Sequence, residues 1–188
     1  MCINTQQLSY FLFLISYFTM YYVLWTNTGS EEKTRQMIYE YADPAFYTRC
    51  LIPYRLKRHY FGGGSRLVKI ILFPSYIFIE TDHIKEFVND INWFPGFNVV
   101  LHMDDLYCPL YKHEEQLILR LINDHDVIDI SEGYMEGDKV HVTDGPLVGM
   151  EGQIKKIKRR QGVAVLEMNI FNRVTEVSVG LDLIDKRK

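Results

Sequence analysis

The sequence predicts an α+β domain followed by a small all-β barrel, and three observations lead there. Up to about residue 123 the apolar residues recur by turns at strand spacing and at helix spacing. From residue 137 onward only short strand-like runs remain: KVHVT, GQIKKIK, VAVLEMNIF, TEVSV and LDLID, with glycine turns and no helix signal. Between the two lies 124–136, acidic and without periodicity, which reads as a linker.

The elements follow in chain order. YYVLWT at 21–26 is alternating, aromatic and β-branched, hence a strand. Gly29-Ser30 offers a helix start, and Glu31 and Glu32 sit where the helix dipole favours acids. With Met37, Ile38 and Tyr41 at helical spacing, a helix is expected over about 30–42, ended by Asp43-Pro44. FYTRCLIPYR at 46–55 reads as a strand running into an irregular basic segment, with Gly62, Gly63 and Gly64 as a flexible tip. RLVKIILFPSYIFIE gives two strands broken at Pro74, which cannot donate to a ladder. HIKEFVNDIN places Ile84, Phe87, Val88 and Ile91 on one helical side, and FNVVLH brings another strand. The resulting order, β-α-β-β-α-β, is the ferredoxin-like split arrangement. HEEQLILRLIND adds one more amphipathic helix.

Composition bounds the function. The 188 residues are 47% hydrophobic and 24% charged, as in an ordinary globular protein. A net charge of -3 excludes a non-specific coat for nucleic acid. The charge is uneven: ten Lys/Arg against seven Asp/Glu in 137–188 give that end +3, so the rest carries -6. Such asymmetry suggests two surfaces with different partners. Cys2, Cys50 and Cys108 are few and far apart, which suits a reducing cytoplasm and no disulfide framework. Neither a metal-ligand cluster, a phosphate loop nor a nucleophile–base pattern stands out, so no enzyme and no cofactor is expected.

Residues 8–25, LSYFLFLISYFTMYYVLW, carry no charge, and a membrane helix needs about 20 such residues. A signal peptide fits poorly, because no Lys or Arg precedes Lys33 and no small-residue cleavage site follows. The strand begins directly after Met20, so residues 1–19 read as an upstream extension outside the fold. A membrane anchor, or an extension packed on the domain, are the alternatives. The reading favours a cytoplasmic, monomeric protein without a membrane partner.

The most specific stretch is GDKVHVTDGPLVGMEGQI, starting at Gly137. Asp144-Gly145-Pro146 is sound turn chemistry, and Gly149 and Gly152 supply positive φ or close backbone approach, which together make a KOW motif. With YYVLWTNTGSEEK, LFPSYIF, WFPGFNVVL and NIFNRVTEV in the same order, residues 20–187 resemble the NusG family of transcription elongation factors. PYRLKRHYFGGGSRLVKIILFPSYIF and VSVGLDLID are most similar to its LoaP-type antiterminator paralogues. Two departures are visible: Ser75 where the family has Gly in FPGY, and Asn172 where IFGR is usual. The resemblance implies an N-terminal (NGN) ferredoxin-like αβ sandwich domain over 20–123, the acidic linker 124–136, and a five-stranded KOW (SH3-like) β-barrel over 137–188.

It further implies that the N-terminal domain docks on RNA polymerase through an apolar cup. Tyr22, Phe73, Tyr76, Phe78, Trp93 and Phe97 are the candidates, Tyr76 first, with plain core packing as the competing role for each. Lys33, Arg35, Arg55, Lys57, Arg58, Arg66 and Lys69 are candidates for contacts to non-template DNA or polymerase acids, against a solvated face. In the barrel, IKKIKRRQG offers Lys155, Lys156, Lys158, Arg159 and Arg160, joined by Arg173, to the phosphates of a nascent RNA hairpin. Ile170 and Phe171 stand where general NusG proteins meet Rho or a ribosomal protein, though the neighbouring Asn172 departs from that pattern. Some relatives refold this domain into helices; here VAVLEMNIF and VTEVSV are rich in β-formers, so a stable barrel is expected.

Overall fold

The structure is a computed structural model, and it describes residues 19–93, 98–100, 102–103, 106–171 and 173–184. Phe97, Asn172 and the upstream extension 1–18 lie outside the described residues. In chain order the elements are β1 (Met20–Trp25), α1 (Glu31–Tyr41), β2 (Arg49–Leu51), β3 (Tyr54–Phe61), β4 (Gly64–Ile71) and β5 (Tyr76–Thr81). Then come α2 (Ile84–Ile91), β6 (Asn98–Val100), β7 (His102–Met103), β8 (Leu106–Tyr107) and α3 (Lys112–Leu121). The last six strands are β9 (Val127–Ile128), β10 (Ser131–Glu136), β11 (Lys139–Asp144), β12 (Ile154–Lys158), β13 (Val163–Ile170) and β14 (Arg173–Leu183). They form two compact units: the residues through Leu51 with Ser75–Leu110, and Ile52–Pro74 with Tyr111 onward.

The first unit is built on a four-stranded sheet in the order β2-β5-β1-β6, with every neighbouring pair antiparallel. That is the ferredoxin-like order expected, but the expected strand RLVKIIL lies outside this sheet as β4, paired with β3, which occupies the basic segment expected to be irregular. Ile38 of α1 and Phe87 and Ile91 of α2 are completely buried, as their helical spacing requires. Asp43 accepts a hydrogen bond from the backbone N–H of Ala45, so the Asp-Pro pair stops α1 and opens a 3-10 turn. Alternation along β1 then sets two faces. Opposite one another in the register stand Trp25 and Tyr76, Val23 and Phe78, and Tyr21 and Glu80; Leu24 with Ile77 and Tyr22 with Ile79 take the other face.

The buried Tyr21 hydroxyl donates to Glu80 Oε2 at 2.8 Å. Burial first, then this carboxylate, pushes the Tyr21 phenol well above its ordinary range, so it stays protonated. Tyr21→Phe is expected to lower unfolding free energy by about 2 kcal/mol, since a buried bond to a charged group is lost; urea titration checks it. A raised folded-state pKa contributes stability that is full below the unfolded value near 10 and lost as pH rises through the folded value. The deficit of Tyr21→Phe should therefore be undiminished at neutral pH.

In the second unit, β3 and β4 form a hairpin in which Phe61 pairs with Gly64. The glycines expected as a flexible tip thus make a two-residue turn, Gly62-Gly63, with Gly63 at φ 106°. A five-stranded sheet follows in the order β11-β10-β14-β13-β12. β10 runs parallel to β14, and the other neighbouring strands are antiparallel.

Two expectations change here. The acidic stretch 124–136 is not a bare linker: it holds β9, which pairs with β3, and all of β10. Its inward positions are Ser131 and Gly133, small residues that leave no apolar alternation to read. Gly133 has to be small, because a Cβ there would lie 2.4 Å from the carbonyl oxygen of His141. Conversely, TEVSV and LDLID are one strand, β14, rather than two. Gly180 punctuates the sequence yet is buried within β14, where a Cβ would meet the Leu56 carbonyl oxygen at 2.9 Å and Ile130 Cγ1 at 2.7 Å. The five strands are therefore counted from Ser131 instead of Gly137.

Candidate nucleic-acid interface

The aromatic candidates have different fates. Phe78 is fully buried, a core residue of the first unit. Tyr76 is half-buried and faces the same way as Phe78, whereas Tyr22 points to the opposite face of the sheet. Phe73 is buried in the second unit, where its ring meets that of Phe171 edge-on with centroids 5.8 Å apart. Trp93 is 63% exposed and packs edge-on against exposed Tyr41 at 5.8 Å. So Phe78 and Phe73 have no surface to offer in this conformation. Trp25, passed over in the sequence, stands directly across from Tyr76 and is 39% exposed; strand alternation from Val23 was the signal for it.

The FPSY turn explains the tolerated serine. Ser75 has φ 75°, the left-handed conformation that favours glycine. Its N–H donates to Glu31 Oε1 at 2.7 Å, its hydroxyl bonds Thr28 Oγ1 at 2.6 Å, and its carbonyl accepts from Thr26 N–H at 2.8 Å. Three hydrogen bonds hold a backbone geometry that a side chain disfavours.

Register sorts the basic residues of the β3–β4 hairpin onto two faces. Lys57, opposite Val68, His59, opposite Arg66, and Arg55, opposite Ile70, share one face. Arg58, opposite Leu67, and Lys69, opposite Leu56, take the other. Those two are occupied: Arg58 Nη2 donates to Asp182 at 2.7 Å, and Lys69 Nζ stands 3.8 Å over the Tyr54 ring. Arg55 keeps its Nη1 buried with no hydrogen-bond partner, and burial pushes its guanidinium below the ordinary value. The basic surface on that face is thus Lys57, His59 and Arg66, with Arg55 more deeply placed at its Nη1. On α1, Lys33 is exposed, while Arg35 donates to Glu32 at 2.6 Å.

The barrel cluster divides as well. A bulge in β12 between Ile154 and Lys156 turns Lys155 and Lys156 both outward. Lys155 bridges Glu167 at 2.9 Å and Glu176 at 3.0 Å, a like-charged cross-strand pair, and these bonds push its ammonium above the usual value. Lys156 and Lys158 are exposed and make no ion pair among the described residues. Arg159 and Arg160 sit in a one-turn 3-10 helix closed by Gly162 at φ 58°. Four cations therefore stand along the edge strand and the turn after it. Arg173 is exposed, its guanidinium 6.0 Å from the Phe171 ring. Ile170 is completely buried, and Phe171, at φ 58° in the β13–β14 hairpin, is engaged by Phe73. The expected contact of Ile170 with a protein partner is corrected on that ground: alternation along β13 turns it inward.

Among the described residues no group of three His, Cys, Asp or Glu side chains gathers as a metal site. No described helix is long and apolar enough to cross a membrane.

The profile of the family described as "Transcription termination factor nusG" matches residues 19–119, more than half of the chain. The chain belongs to the NusG family. It is 27% identical over 176 residues to the transcription termination/antitermination protein NusG of Bacillus subtilis, covering 88% of this chain and 97% of that one. It is also 27% identical over 133 residues to the protein of that name from Thermus thermophilus, covering 66% and 72%. A solved structure described as domain interaction in Thermotoga maritima NusG superposes with a TM-score of 0.52 at 22% identity, covering 86% of this chain and 93% of that one. The NusG-family fold is thus an NGN α+β domain followed by a β-rich KOW domain, and the chain is of the transcription termination/antitermination type.

Proposed function

We propose that this chain is an antitermination factor of the LoaP type. Its N-terminal domain, residues 20–123, binds RNA polymerase, and its KOW barrel, from Ser131, binds a hairpin in nascent leader RNA. The carrying observation is the group Lys156, Lys158, Arg159 and Arg160, which is exposed and makes no ion pair with an acid among the described residues. Clustered cations of this kind favour phosphate through counterion release. A duplex stem would be taken mainly by shape and backbone contacts. The half-buried Tyr76 with Trp25, and the exposed Trp93, are the aromatic surfaces suited to polymerase docking. Lys57 and Arg66 are left for non-template DNA or polymerase acids.

The runner-up, a general factor bridging polymerase to Rho or the ribosome, is disfavoured by the burial of Ile170 and the engagement of Phe171. A mobility-shift titration of the full chain against its own operon leader tests the reading. Binding should appear with the native hairpin and be lost when the stem is unpaired by sequence change. Equal affinity for any RNA, or none, contradicts it.

A further inference from the structure

We propose that the barrel carries a stacking subsite for one unpaired nucleobase, formed by Tyr134 and His141 beside the groove between β11 and β12. This deepens the reading that the barrel binds RNA and rests on it.

The β10–β11 register sets Tyr134 directly opposite His141. Their rings lie nearly parallel, 16° apart, with centroids at 5.1 Å. Tyr134 is half-buried, and 44% of the His141 side-chain surface is open. His141 is also part of the wall of a groove of about 660 Å³, whose lining includes Lys139 of β11 and Lys156 of β12 with Arg159, alongside Asp138 and Glu151. The groove is lined from the two end strands of the sheet, β11 and β12, which have no further strand outside them among the described residues.

Each part has a chemical consequence. A fixed pair of parallel rings with one open surface offers a π-face to a third ring, and every nucleobase has one. Cations on both strands that line the groove, Lys139 and Lys156, offer the flanking phosphates their contacts. Paired bases are stacked within their own helix, so only a looped, bulged or single-stranded base can reach such a platform. The acids nearby do not close the site. Glu151 accepts from the Val142 N–H at 3.3 Å, and backbone amides hold its carboxyl below the usual range. Glu136 Oε2 lies 3.4 Å from His141 Nε2, at the edge of the imidazole ring. The ligand class is therefore RNA in which a duplex is interrupted by an unpaired residue; four exposed lysines and arginines alone would not select for that interruption.

The test uses the full chain and two RNAs: a blunt duplex, and the same duplex interrupted by one unpaired 2-aminopurine. Fluorescence anisotropy reads affinity and 2-aminopurine quenching reads stacking. The wild-type protein should bind the interrupted RNA more tightly and quench it. His141→Ala should weaken that RNA by about 10-fold and abolish quenching, while leaving the blunt duplex unchanged. His141→Phe keeps a stacking ring and should preserve both signals. Tyr134→Leu, if it melts like the wild type, should repeat the alanine result. If His141→Ala weakens both RNAs equally, or neither, the stacking subsite is overturned while RNA binding by the barrel stands. If the wild type binds neither RNA, both readings fall together.

Discussion

Replacing Lys156, Lys158, Arg159 and Arg160 together by glutamate is expected to lower affinity for the leader RNA by about 100-fold or more at low salt. The four side chains point outward, none is paired with an acid among the described residues, and none contributes to the buried core. Thermal melting should therefore be close to that of the wild type, so the loss cannot be ascribed to unfolding. The slope of log affinity against log salt should flatten by about 3, since each lost phosphate contact removes 0.7 to 0.9 of a unit. Lys155 supplies an internal comparison. Its ammonium is already held by Glu167 and Glu176, so Lys155→Ala should weaken RNA binding far less than Lys156→Ala. Equal losses at the two positions would mean that the cluster acts as diffuse charge and that the bulge geometry is irrelevant.

The second large effect separates docking residues from core residues in the N-terminal domain. Phe78→Ala removes a ring with no exposed surface and is expected to cost about 3–5 kcal/mol of stability. Any loss of polymerase binding in that variant would follow from unfolding. Trp93→Ala removes a ring that is mostly in solvent and touches Tyr41 edge-on. Denaturation should barely move, whereas affinity for polymerase, read by co-sedimentation, should fall about 10-fold if Trp93 is an interface anchor. Should Trp93→Ala bind polymerase as the wild type does, the docking surface has to be sought at Trp25 and Tyr76 instead.

Much of the architecture was legible because strong periodicity and punctuation coincide. Phe87 and Ile91 at helical spacing, and YYVLWT followed by a glycine turn, each fix an element and its buried side. Where the reading failed, residues were chosen by close backbone approach, which leaves no apolar signature. Gly133 sits within β10 because His141 crowds it, and Gly180 continues β14 because Leu56 does. The site was legible as composition and not as geometry. IKKIKRRQG announces five cations, but only the bulge and the Glu167–Glu176 pair decide that Lys155 is spent internally. Likewise seven basic candidates were named in the N-terminal half, and register alone divides the hairpin's share into an open face and one held by Asp182 and Tyr54. His141 was passed over because one histidine in a strand carries no signal until its cross-strand partner is known.

Terminator read-through in a purified transcription reaction tests the central claim most directly. Bacterial RNA polymerase would transcribe templates with and without the protein's own operon leader, each with and without the full chain. Read-through is expected to rise only on the leader-bearing template and to disappear with the four-residue charge reversal. A protein that leaves polymerase unaffected on both templates would contradict the assignment to antitermination.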